Sequence, residues 1–208
     1  MINETKHHAL TVKNEFKKEI ARKGIHLLIG FLPLIASFSY TLAYSLLLAG
    51  AFVYTLSELI RIRWNGEKKF FPYKAISGIS LFVSRPGEAK HFISAPLILA
   101  TGAGLTLILF PENAMKAGIL ALAFGDTAAA LAGKFLFRKN RKNNGVKTVT
   151  GTAACFIIST ICIMFVVNDW TISLAAGATA SLCELTTLKN FDNILVPLGT
   201  AAVVLMMS

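Results

Sequence analysis

The longest uncharged stretch of the sequence does most to limit the folds open to this chain. Leu27 to Ser57 covers 31 residues without a charged side chain, whereas a helix crosses the hydrocarbon core of a bilayer in about 20 residues. Both flanks of the stretch are basic, through Lys17, Lys18, Arg22 and Lys23 on one side and Arg61, Arg63, Lys68 and Lys69 on the other. Because basic residues accumulate on the cytoplasmic side of membranes, we expect a tight hairpin of two spans. It turns near Ser39 to Thr41, and both of its ends are cytoplasmic.

The rest of the chain continues the pattern of a membrane protein. Of its 208 residues 54% are hydrophobic and 15% are charged, which predicts one all-α, polytopic domain over 1–208 with about seven transmembrane helices. Residues 1–25 predict an amphipathic helix on the membrane surface rather than a cleavable signal peptide. Ile76 to Val83 is too short to span and predicts an interfacial or re-entrant segment. The five further spans are predicted at Phe92–Phe110, Ala114–Phe137, Val149–Val167, Trp170–Leu188 and Ile194–Met207.

The basic residues provide a test of this topology. With seven spans, 20 of the 21 lysines and arginines fall on the cytoplasmic side, and only Lys116 lies outside. Six of the 20 are in the segment 134–147, which overlaps the basic cytoplasmic loop 138–148. The net charge of +10 is therefore interpreted as a topology signal, and we expect no nucleic-acid partner. Cys155 and Cys162 are about 10 Å apart along one predicted helix, which is too far for a disulfide.

Asp126 is a lone carboxylate inside the fourth predicted span. An acid at such a depth is costly, so it is a functional-site candidate by default. Gly125, Ala129 and Gly133 recur at four-residue spacing around it. That spacing is typical of close helix packing, and it also suits the approach of a phosphate group.

The other ionisable groups near membrane segments fall at the predicted cytoplasmic ends of the spans: Arg22, Lys23, His26, Glu58, Glu88, His91, Lys147, Glu184 and Asp192. Such a set suits a site for a charged cytosolic ligand next to a lipid. Simpler interpretations stay open. Arginines and lysines also mark the cytoplasmic side of a membrane protein, and Glu58 and Arg61 are spaced for an ion pair. A single histidine is often only a packed, hydrogen-bonded side chain.

The sequence GVKTVTGT places Lys147, Thr148, Gly151 and Thr152 at the predicted start of the fifth span. Free N–H groups and the helix dipole make such a terminus an anion site, although a capped helix start is the alternative. No P-loop, H-E-x-x-H or G-x-S-x-G motif occurs. The residues by themselves indicate a membrane enzyme or transporter that handles a phosphate-bearing ligand.

Five motifs in order carry a resemblance: RKGIH at 22–26, PGE at 86–88, GDTAAALAGK at 125–134, KTVTGT at 147–152, and Glu184 with Asp192, Asn193 and Pro197. From Arg22 to Pro197 the chain resembles the family of dolichol kinases, phytol kinases and CTP-dependent diacylglycerol kinases. The resemblance implies transfer of phosphate from a nucleoside triphosphate, typically CTP, to a membrane lipid alcohol with Mg²⁺. Many members carry Glu where this chain has Thr150, a departure that favours a diacylglycerol-type acceptor over an isoprenoid one.

The resemblance implies a nucleotide site around Asp126, Gly133 and residues 147–152. Our hypothesis is that Asp126 and Asp192 hold Mg²⁺, that Lys147 binds phosphate, and that Arg22 or Lys23 offsets charge during transfer. The base is Glu88, Glu184 or His26. The residues expected to contact the nucleotide are Lys23, Gly125, Gly133, Lys134, Thr148, Gly151, Thr152, Glu184 and Asn193.

Two other functions are compatible with these residues. A phosphatidate cytidylyltransferase-like enzyme would share the membrane and the nucleotide, but its second acidic signature is missing from the sequence. A transporter is expected to show inverted repeats and broken helices, and the odd number of predicted spans, with polar groups at one side only, argues against it. We therefore expect a multi-pass membrane enzyme with its active site facing the cytoplasm, and we leave its oligomeric state open.

Overall fold

The computed structural model describes residues 17–63, 73–84, 91–136, 147–186 and 190–208. Within these ranges all regular structure is helical, as the sequence predicts. The helices are α1 (residues 17–29), α2 (Leu32–Phe38), α3 (Tyr40–Arg63), α4 (Tyr73–Val83), α5 (Ala95–Leu109), α6 (Glu112–Leu120), a π-helical turn (Ala121–Gly125), α7 (Asp126–Leu136), α8 (Val149–Val167), α9 (Trp170–Thr186) and α10 (Asp192–Met207).

The predicted position of the turn is confirmed. Helix α2 ends at Phe38, Ser39 is extended at φ −162° and ψ 115°, and α3 begins at Tyr40. The Ser39 hydroxyl accepts a hydrogen bond of 3.2 Å from the backbone N–H of Leu42, and so satisfies one of the donors that a helix start leaves open. A single residue thus joins the two helices.

The structure has no helix break at residue 25, where the surface segment is predicted to end. Helix α1 runs through residue 25 without interruption, and the break falls instead at Gly30 and Phe31. Its cause is Pro33 in the first turn of α2, because proline has no N–H and its ring clashes with the carbonyl four residues earlier. Lys17–Phe38 together form an apolar helical unit of 22 residues.

Within the described ranges, four helical units are long and apolar enough to cross a membrane: Lys17–Phe38, Tyr40–Arg63, Glu112–Lys134 and Val149–Val167. The other three predicted spans correspond to α5, α9 and α10, which have 15, 17 and 16 residues and are shorter than the ~20 residues of a typical span. Helix α4 has 11 residues, or about 16 Å of rise, in agreement with a segment too short to span.

Small residues let the helices of the core approach closely. Proline at 197 inside α10 removes the N–H that would bond the Asn193 carbonyl, and that carbonyl packs against Gly102 of α5, where an added Cβ would lie 2.0 Å away. An added Cβ at Gly118 of α6 would similarly lie 2.4 Å from the Pro197 carbonyl oxygen. Backbone contact of this kind is typical of helix packing in membranes.

The π-helical turn at Ala121–Gly125 was not predicted. It lies between α6 and α7 and ends directly before Asp126. Such a turn inserts one residue into an α-helix, and this rotates every later side chain by about 100°. The turn therefore sets the face on which Asp126 projects.

Candidate charged site at the helix ends

Asp126 is buried and is contacted by two basic side chains of α1. Its exposed fraction is 4%, its Oδ2 accepts a hydrogen bond from Lys23 Nζ, and His26 Nδ1 lies 3.1 Å from the same oxygen. This second contact is an ion pair when the histidine is protonated. Lys23 and His26 are three residues apart and share one helix face, and together they compensate a carboxylate that would otherwise be costly to bury.

Glu19 is a second buried acid where α1 meets α7, and it is not among the site residues predicted from the sequence. Its exposed fraction is 3%, and it accepts hydrogen bonds from Arg22 on its own helix and from Lys134 of α7. The available signal was its spacing, because Glu19, Lys23 and His26 follow one another at intervals of four and three residues. We call Glu19, Arg22, Lys23, His26, Asp126 and Lys134 the α1–α7 cluster.

Lys147, in the segment before α8, is the centre of a second group, whose acids come from α9 and α10. Its Nζ lies 3.2 Å from Glu184 Oε1 near the end of α9 and 3.4 Å from Asp192 Oδ2 at the start of α10. Thr148, the residue after Lys147, packs against Gly133, the residue before Lys134. The two groups therefore adjoin, and they bring together residues that the sequence analysis selected from separate motifs.

Thr148 caps the start of α8. Its Oγ1 accepts a hydrogen bond of 3.2 Å from the Gly151 N–H, and its carbonyl accepts one of 3.3 Å from the Thr152 hydroxyl. The capped-start interpretation is thus confirmed. Binding of phosphate by the Gly151 N–H would require the Thr148 side chain to move, and it stays a prediction.

The glycines around Asp126 form a packing face. A Cβ added at Gly125 would lie 2.1 Å from Ser159 Oγ of α8, and one added at Gly133 would lie 2.7 Å from Thr148 Oγ1. Packing against α8 therefore accounts for both glycines, whereas their contact with phosphate has no support from this geometry.

Glu58 and Arg61 form the ion pair that their spacing allows, at 2.5 Å. Glu58 Oε1 also accepts a hydrogen bond of 2.9 Å from the Ile93 N–H, and Arg61 donates one of 2.6 Å to the His91 carbonyl. These contacts hold the segment before α5 against α3.

Glu88, a candidate base, lies outside the described residues, as does the whole PGE motif at 86–88.

Asn193, expected to contact nucleotide, is buried, with a 4% exposed fraction. Its backbone N–H donates to the Asp192 carboxylate at 3.0 Å. Among the described residues no three histidine, cysteine, aspartate or glutamate side chains converge as a metal site. No disulfide joins the three cysteines.

Comparison of the chain with known protein families, with characterised proteins and with solved structures gave no match. The family resemblance therefore rests on the five ordered motifs, and the activity that it implies is a proposal.

Proposed function

We propose that this chain is a membrane-embedded kinase that transfers phosphate from a nucleoside triphosphate, CTP by the resemblance, to the hydroxyl of a membrane lipid alcohol. The observation that carries the proposal is the meeting of separate motifs. Two adjoining charged groups contain side chains from RKGIH, GDTAAALAGK and KTVTGT, together with the acids Glu184 and Asp192. Close packing alone would not require so many ionisable groups to gather within one apolar helical domain.

Embedding in a bilayer is part of the proposal. Helix α3 exposes nine large hydrophobic side chains: Tyr40, Leu42, Leu46, Leu48, Phe52, Val53, Leu56, Leu59 and Ile62. An apolar surface of this extent is unfavourable in water and suits contact with lipid. The proposed topology has seven spans, with the shorter α5, α9 and α10 among them, and places both charged groups at the cytoplasmic face because nearly all basic residues lie on that side.

The charges match what phosphoryl transfer requires, namely alignment and neutralisation rather than covalent chemistry. In the structure each candidate cation is paired with an acid: Lys23 with Asp126, Arg22 and Lys134 with Glu19, and Lys147 with Glu184 and Asp192. A bound triphosphate would compete with these acids for the same cations. In our proposal Lys147 binds phosphate oxygens, and Arg22 or Lys23 offsets the charge that develops during transfer.

Asp126 and Asp192 would hold Mg²⁺. Their carboxylates are the hard oxygen ligands that this ion prefers, and one or two carboxylates suffice because phosphates and water complete its coordination. The ion would supply neutralisation of the triphosphate charge. Since both acids are paired with lysines in the structure, these lysines would shift from the acids to phosphate.

The proton of the lipid hydroxyl would pass to a carboxylate or to histidine, and the candidates are Glu88, Glu184 and His26. Of these, His26 belongs to the α1–α7 cluster and Glu184 to the group around Lys147, and both are buried. The hydrocarbon tail of the acceptor would remain in the bilayer and enter between helices.

The decisive experiment is a transfer assay with protein purified into lipid nanodiscs. The protein is incubated with γ-labelled CTP, ATP or UTP and with diacylglycerol, polyprenol, phytol or phosphatidate. We expect label in one lipid alcohol together with release of the nucleoside diphosphate. Labelled pyrophosphate in the presence of phosphatidate would instead identify a nucleotidyltransferase, and absence of any product would refute an enzyme of either kind.

Two variants with matched chemistry belong in the same assay. Asp126→Asn removes the buried carboxylate and should abolish transfer. Glu112→Gln makes an equivalent change in the exposed Glu112–Lys116 ion pair, whose atoms are 2.5 Å apart, and should leave transfer unchanged.

A further inference from the structure

Helices α1 and α7 are joined by two charge pairs of opposite sense. In one pair α1 supplies the acid, Glu19, and α7 the base, Lys134. In the other pair α1 supplies the base, Lys23, and α7 the acid, Asp126. From the first pair to the second the position rises from 19 to 23 in α1 and falls from 134 to 126 in α7, so the two helices run antiparallel. Because acid and base alternate along each helix, the pairs favour a single register between α1 and α7.

Glu19 is more deeply buried than the two cations that pair with it, so its charge is stabilised mainly by those cations rather than by water. Its side chain is 3% exposed, whereas those of Arg22 and Lys134 are 22% and 47% exposed. Water can solvate both cations if the contact opens, but it cannot reach the carboxylate without movement of the helix. A buried charge that loses its partners is strongly unfavourable, so the closed arrangement of α1 on α7 is the one that Glu19 stabilises.

The position of Glu19 ties this contact to the site. Glu19 precedes Lys23 by four residues and His26 by seven, so all three lie on one face of one continuous helix. A shift of α1 that released Glu19 would also move Lys23 and His26 away from Asp126. No motif of the family resemblance includes Glu19.

We propose that Glu19 is a positioning residue, which holds α1 in register on α7 so that Lys23 and His26 remain against Asp126. The proposal rests on the proposed kinase function for its catalytic consequence. Its structural part, the register of α1, stands independently of any activity. Glu19 itself need not contact substrate.

Hydrogen exchange tests the structural part. Glu19→Gln keeps the size of the side chain and removes its charge, and the exchange of residues 17–29 in nanodiscs should become about tenfold faster or more, while α8 to α10 keep their protection. Glu19→Asp keeps the charge and should retain most of the protection. The control Glu112→Gln should leave residues 17–29 unchanged. If Glu19→Gln does not fold, Lys134→Gln removes the same pair from the α7 side and should accelerate the same segment.

Kinetics test the catalytic part. In Glu19→Gln we expect kcat to fall between about tenfold and a hundredfold, because small misplacements of catalytic groups cost that much, with a smaller change in the KM for nucleotide. Glu19→Asp should recover most of kcat. Unchanged exchange of residues 17–29 in Glu19→Gln would overturn the proposal, and so would faster exchange with an unchanged kcat. Absence of transfer by the unmodified protein would refute the kinase function, and the exchange result would still decide whether Glu19 holds α1.

Discussion

The pair of Asp126 and Lys23 gives the sharpest test of whether the buried acid has a chemical role beyond its structural one. Asp126→Asn removes the negative charge and leaves the Lys23 ammonium group in a site where its side chain is 6% exposed. Loss of transfer in this variant alone could then reflect a destabilised helix contact. The double variant Asp126→Asn with Lys23→Met removes both charges and keeps the length of both side chains.

The expected magnitudes separate the two roles. Removing one partner of a buried ion pair costs about 3–5 kcal/mol, whereas replacing both partners with groups of similar volume is often neutral. For chains of 150 to 250 residues a loss of 3–5 kcal/mol lowers Tm by roughly 6–20 °C. We expect Asp126→Asn to show that loss and the double variant to return near the Tm of the unmodified protein.

Thermal unfolding in detergent and the transfer assay are measured on the same preparations. If the pair acts chemically, as proposed for both of its members, the double variant regains stability and remains inactive. Substantial transfer by either variant would refute a catalytic or metal-binding role for Asp126. An unchanged Tm in Asp126→Asn would contradict the buried ion pair itself.

Three further predictions concern packing, the second charged group and topology. Gly125→Ala should lower the free energy of unfolding by about 1–3 kcal/mol, because its Cβ would lie 2.1 Å from the Ser159 hydroxyl. The control Gly50→Ala should not be destabilising, because no atom lies within 4 Å of the new Cβ. Thermal unfolding compares the two variants, and an equal loss of stability in both would contradict packing of Gly125 against α8. Lys147→Ala should abolish transfer, because Lys147 is the cation between the acids of α9 and α10. Lys147→Arg keeps the charge and should retain part of the transfer rate. Full transfer activity in Lys147→Ala would exclude phosphate binding by Lys147. Lys116→Cys should react with an impermeant maleimide in intact cells, and Lys147→Cys only after permeabilisation; the reverse pattern would overturn the proposed orientation.

Several features follow from local sequence alone and were predicted from it. Helix α8 has the predicted bounds, Val149–Val167, because it is a continuous apolar run with a threonine cap directly before it. The turn at Ser39 was predictable because an uncharged run of that length must reverse once if both basic flanks are to stay on one side. The cost of burying a charge was enough to single out Asp126.

Other features depend on contacts between distant parts of the chain. The π-helical turn at Ala121–Gly125 has no local signal, because no proline or unusual spacing marks it and only the packing of its neighbours reveals the inserted residue. The partners of Asp126 are likewise a tertiary result. Lys23 is 103 residues away, and on a basic terminus it could not be told from an ordinary topology signal.

Glu19 illustrates the difference between what the sequence determines and what only the tertiary structure decides. The sequence by itself determined an all-helical chain with long apolar helices, and it marked the acids and bases that interrupt them, because hydrophobicity and the cost of burying charge act residue by residue. Only the tertiary structure decided which acid meets which base, because that depends on the register of α1 against α7 and on the phase that the π-helical turn gives to Asp126. An ion pair 115 residues apart in sequence, between Glu19 and Lys134, is a property of that packing.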